Sequence, residues 1–94
     1  MAKKIKTEKL PTREQIGEQN EGAMFAEGFD DCLLGYVERF GAPALALYDT
    51  ERVLQKLMKR DNMSREVAED FFSTNIIGAW VGENTPAFAT VLRK

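Results

Sequence analysis

Few side chains in this sequence can do chemistry, and their spacing narrows the choice further. Asp30 and Asp31 are adjacent carboxylates ahead of the first long apolar run, and with Asp49 they are the residues that could hold a hard cation such as Mg²⁺. The plainer reading of the Asp30–Asp31 pair is a polar boundary where an element begins. The sequence has no histidine, which removes every triad with an imidazole base and every His-ligated zinc site. A single cysteine, Cys32, cannot build a thiolate cage, and its apolar neighbourhood does not favour a thiolate nucleophile. Neither G-x-x-x-x-G-K nor G-x-G-x-x-G occurs, so no phosphate-cradling loop is expected. These residues predict a protein that is not an enzyme, with no cofactor and no metal site.

Residues able to bind rather than react lie in two places. Tyr48 and Asp49 close one short apolar run, and Asn75, Trp80, Glu83, Asn84 and Thr85 lie within the stretch "NIIGAWVGENTPAF". Asn75 falls one turn beyond Phe71 on a predicted apolar helix face. A buried amide there must be hydrogen-bonded, because leaving it unpaired costs ~1–3 kcal/mol. Tyr48 and Trp80 could stack on a ring, although their spacing is that of core residues. Glu83 follows a helix C-terminus, where it suits a cation or a partner's amide and repels an anion.

Charge and composition bound the partners. The chain has 94 residues, is 44% hydrophobic and 30% charged, and carries a net charge of −2. That is one soluble globular domain with a small core. No apolar run approaches the ~18 residues of a membrane span, and "MAKKIKTEKL" lacks the apolar stretch of a secretory signal. The lone cysteine suits a reducing compartment, so a cytoplasmic location is expected. Lys3, Lys4, Lys6, Lys9 and Arg13 make the beginning basic, whereas residues 14–49 hold eight acids against Arg39. So acidic a body repels a phosphate backbone, which argues against specific nucleic-acid binding.

The elements that must position these residues follow from pattern. Residues 1–22 read as a flexible basic and polar segment, in which Thr12 and Gln15 can cap a short helix with only Ile16 as an apolar anchor. Residues 23–94 read as a single α+β domain. Over 29–40 the spacing allows an amphipathic helix, but a strand over 32–40, a turn at "GAP" and a strand over 44–48 fit better. Asp49 caps a helix over "TERVLQKLMKR", whose stripe is Val53, Leu54, Leu57 and Met58. Ser64 caps a second helix whose apolar face continues through Phe72 and Ile76 to Trp80, ending at Gly82. "ENTP" is then a turn and "AFATVL" a short strand. The expected fold is a small antiparallel sheet, a hairpin plus a short C-terminal strand, packed on two antiparallel helices.

From about Phe29 onward the chain resembles a family of small bacteriophage and prophage proteins. The likeness rests on "FDDCLLGYVERFG", on "YDTERVLQKLMKRDNMSREVAEDFF", and most on an ending of the form N-x-x-G-A-[WY]-x-G-E-x-T-P-x-F. The resemblance implies an accessory protein acting inside a bacterial host, and it implies no established activity. Two readings follow for function. One is binding of a host or phage protein, for example as an inhibitor of a host enzyme or defence factor. The other is a homo-oligomer that sequesters a small, nucleotide-like ligand, using Trp80, Asn75 and Tyr48 against it and cations from the helix over 50–60.

Overall fold

The computed structural model describes residues 11–92. Thr12 opens a short helix, α1 (Arg13–Gly17), with the expected capping box: its side chain accepts from the Gln15 amide while the Gln15 side chain reaches back to the Thr12 N–H. Ile16, the segment's apolar anchor, is only 1% exposed and belongs to the core. Farther along, the Asn20 side chain ties to the carbonyl of Ala44 at 2.8 Å. Of the segment 1–22 expected to be flexible, residues 1–10 lie outside the described residues.

A single 3₁₀ turn (Asp30–Cys32) leads into β1 (Leu33–Val37), which pairs antiparallel with β2 (Leu45–Asp49). The hairpin reading of this region therefore holds. Asp49 then caps α2 (Thr50–Arg60), accepting from the Glu51 amide at 3.0 Å. Val53, Leu54 and Leu57 turn the predicted stripe into the core, and Met58 packs at its margin. Ser64 caps α3 (Arg65–Phe71) by accepting from the Val67 amide. Removing either cap to alanine costs ~0.5–2 kcal/mol in comparable helices.

Two expectations fail beyond α3, and one irregularity explains the first. The helix does not run on to Val81. It widens into a π turn (Phe72–Ile76) closed by the Ile77 amide on the Phe72 carbonyl at 2.8 Å. A π turn takes more residues than an α turn, so the helical period slips and later residues rotate off the buried face. Ser73, Thr74 and Asn75 also offer the backbone competing partners. Gly78 fixes the end of this turn: a Cβ there would lie 2.7 Å from the Ser73 carbonyl oxygen and 2.9 Å from that of Thr74.

The second correction concerns the sheet. The last strand, β3 (Ala87–Ala89), pairs with β2 parallel, not antiparallel, in the register Leu47–Ala87, Tyr48–Phe88, Asp49–Ala89. The sheet is therefore mixed, in the order β1-β2-β3. Parallel neighbours need a long crossover, and α2, α3 and the 77–86 segment supply it. The molecule remains a small α+β fold. Its core gathers Ile16, Leu33, Ala46, Tyr48, Leu57 and Phe72 between sheet and helices. Among the described residues no helix is long and apolar enough to cross a membrane.

Candidate functional site

The predicted binding residues separate into two groups. Tyr48 and Asp49 are structural. Tyr48 is 0% exposed, its hydroxyl accepts from the Ala26 amide at 2.8 Å, and its ring stacks on Phe88 with centroids 5.3 Å apart. Burial raises its pKa. No face of this ring is open to a ligand. Asp49 is also buried, spent on capping α2 and on Arg52 at 3.5 Å.

The other five residues share one region with the segment after the π turn. Trp80, expected in the core, is 75% exposed, and Ile77 and Val81 beside it are exposed as well. Asn75, expected to be buried, is exposed. Both corrections follow from the period slip at 72–76. Next to these residues runs a groove of about 320 Å³. Met24, Phe25 and Phe29 line it from one part of the chain; Ile76, Val81 and Phe88 line it from another. Its polar lining is Glu27, Asn75 and Thr85, and Trp80 stands between the lining residues Ala79 and Val81.

The "GENTP" stretch holds this region in place. Gly82 has φ +118°, a conformation side chains resist, and starts a turn. Thr85 locks the turn, its hydroxyl donating to the Gly82 carbonyl at 2.6 Å and accepting from the Val81 amide at 2.9 Å. Asn84 joins the turn to the other wall: its side-chain oxygen accepts from Asn20 at 2.9 Å, and its carbonyl accepts from the Met24 amide at 3.3 Å. Glu83 projects from between them, exposed. Thus Asn84 and Thr85 hold the turn beside the groove, Asn75 lines the groove, and Trp80 and Glu83 are exposed on the chain segments that flank the lining residues.

A second concavity, about 550 Å³, runs along α2 and is the region where the sequence suggested a local basic patch. Arg52, Lys56, Lys59 and Arg60 line it, with Asp31, Asp49 and Glu51 among them. Most of this charge is internally matched. Lys56 meets Asp31 at 2.9 Å, Arg52 meets Asp49, and Arg60 meets Asp61 at 3.0 Å while lying over the Phe29 ring. Lys59 has no carboxylate partner among the described residues. Cys32 also lines the cleft, but burial first and the neighbouring Asp31 carboxylate second push its thiol up to about 11. It is a protonated core thiol at neutral pH, unsuited to nucleophilic work.

The carboxylate pair at 30–31 is divided. Asp30 accepts from Arg13 and Asp31 from Lys56, each at 2.9 Å. Among the described residues no three acidic or cysteine side chains converge on a metal position. Nor does any buried side-chain nitrogen or oxygen among them lack a partner. The sequence reading passed over Ile77, Val81, Met24, Phe25 and Glu27. The available signal was the Met24–Phe25 pair, an apolar island in an otherwise polar stretch. Compared with known proteins, the chain gives no significant match to a protein-family model, a curated sequence or a solved structure.

Proposed function

We propose that this chain is a small phage-type accessory protein that works without catalysis, by binding a host or phage protein in the host cytoplasm. The observation that carries the reading is the exposure of Ile77, Trp80 and Val81 beside a formed apolar groove. Clustered apolar side chains on a surface mark interaction sites, and tryptophan is enriched where binding energy concentrates. The lack of histidine and the buried, protonated Cys32 support a role in binding over one in reaction. The phage assignment rests on the sequence resemblance over 29–88.

The test is native mass spectrometry of the chain purified gently from a bacterial host, beside Trp80→Ala. A protein-sized mass excess on the wild type, lost from Trp80→Ala, is the expected result. A small-molecule excess retained by Trp80→Ala would contradict it. That outcome would favour a second reading, an anionic small ligand in the α2 cleft, for which the convergence of Arg52, Lys56, Lys59 and Arg60 is the supporting observation. Tyr48 is buried and Trp80 does not line that cleft, so such a ligand would be held by charge and not by stacking.

A further inference from the structure

The groove divides two stretches of opposite character, and this defines what fits between them. One wall is built from residues between Met24 and Phe29, with Glu27 as its acid, inside a run from 14 to 38 that holds seven carboxylates and no lysine or arginine. The other belongs to 75–88, whose exposed side chains include Ile77, Trp80 and Val81. Glu27 lines the groove itself, with its side chain 86% exposed. Its one cationic neighbour among the described residues, Arg13 at 3.2 Å, is shared with Asp30 and lies over Phe25. Glu83 is exposed two residues before the lining residue Thr85, and next to Asn84, whose carbonyl accepts from the Met24 amide. An apolar slot with acidic groups at its edge is thus formed and held by the Asn20–Asn84 tie.

We infer that the groove seats a basic amphipathic segment of a partner protein, its apolar side chain entering between Phe25 and Ile76 and an adjacent arginine or lysine meeting Glu27 and Glu83. The inference rests on the protein-binding reading and names the chemistry of the partner. Charge decides among occupants. A second copy docking through the same face in a two-fold dimer would bring the acidic rims of both copies together, which disfavours it. A nucleotide would bring phosphates to the same carboxylates. A cationic partner is attracted at long range and gains an apolar anchor on contact, and salt weakens the first effect only.

The probe is a displayed library of random peptides selected on the full-length chain, with an unrelated protein of equal net charge as the background. Enriched peptides are expected to pair an aromatic or leucine residue with a nearby arginine or lysine. Synthetic copies should bind about tenfold more weakly to Trp80→Ala, the size of loss typical of one interface anchor. Glu27→Lys and Glu83→Lys should each weaken them too, and Lys59→Glu in the α2 cleft should not. Melting curves of the variants establish that each is folded, and because Glu27 and Glu83 are both exposed, either one serves if the other fails. Neutral or acidic peptides that still require Trp80 would overturn the charge inference and leave protein binding standing. Peptides indifferent to Trp80→Ala, or no enrichment over the background, would overturn both. Concentration-dependent sedimentation of the wild type that Trp80→Ala abolishes would make a second copy the occupant and overturn the inference alone.

Discussion

The α2 cleft and the groove beside residues 75–88 are both concave, yet they differ in how much of their lining is already partnered. In the cleft, three of the four lining cations already face a carboxylate: Arg52 with Asp49, Lys56 with Asp31, Arg60 with Asp61. In the groove, aromatic and aliphatic side chains line the surface, and Trp80, next in the chain to the lining residues Ala79 and Val81, is 75% exposed. A larger volume, about 550 Å³ against about 320 Å³, does not make the cleft the better site. Charge matched within a molecule is a solvated surface; apolar area left outside the core is a surface awaiting contact.

The contrast can be broken most forcefully beneath the groove. Phe72 is buried and meets Phe88 edge-on with centroids 5.3 Å apart, so it supports the groove from the core. Phe72→Ala should lose about 3–5 kcal/mol by denaturant unfolding and should abolish peptide binding at the groove. A fully folded variant with a large loss of stability but intact binding would show that the groove does not depend on that packing. Gly78→Ala comes next. Its Cβ would press on the Ser73 and Thr74 carbonyls, so we expect a cost of about 1–3 kcal/mol and a shifted Trp80 emission.

On the cleft side, Asp49→Ala removes the α2 cap and should cost about 0.5–2 kcal/mol, read from thermal melts, without touching binding at the groove. The smallest effects are expected at exposed positions. Lys56→Ala and Trp80→Ala should each change stability by less than about 0.5 kcal/mol, and only the second should change partner binding. The Lys56–Asp31 pair also makes a pH prediction. The Lys56 hydrogen bond holds the Asp31 carboxyl below its ordinary value, so its small contribution is present above the unfolded pKa and lost as pH falls through the folded one. Lys56→Ala should flatten that acid limb. Cys32 works in the other direction. Its thiol is raised to about 11, so the associated stability is full below the unfolded thiol pKa and lost as pH climbs toward that value. Slow reaction with a disulfide reagent at neutral pH, comparable to that of other core thiols, is the check.

Much of the frame was legible because local chemistry and the fold agree. Thr12, Asp49 and Ser64 cap where their side chains can accept an amide, and the α2 stripe is buried as its spacing implies. The failures begin where a local irregularity outweighs the pattern. Phe72, Ile76 and Trp80 share one face only if every turn is an α turn, and the π turn at 72–76 breaks that condition. Ser73, Thr74, Asn75 and Gly78 hinted at the break, since none favours a helix interior. The parallel pairing of β3 was hidden for a different reason: a strand of three residues carries no directional signal, and its orientation comes from the long crossover before it. At the candidate site, residue type singled out Asn75, Trp80 and Glu83, which the structure leaves exposed, but Tyr48 and Asp49 are drawn inward by Phe88 stacking and helix capping.

The central claim is that Trp80 stands outside the core and is covered on binding. Because it is the chain's single tryptophan, its fluorescence reports on it directly. In the free protein at high dilution, we predict red-shifted emission that iodide and acrylamide quench freely, turning blue-shifted and shielded when a selected peptide is added. A blue-shifted, quencher-resistant Trp80 in the free chain at every concentration would contradict the account, because it would return this residue to the core.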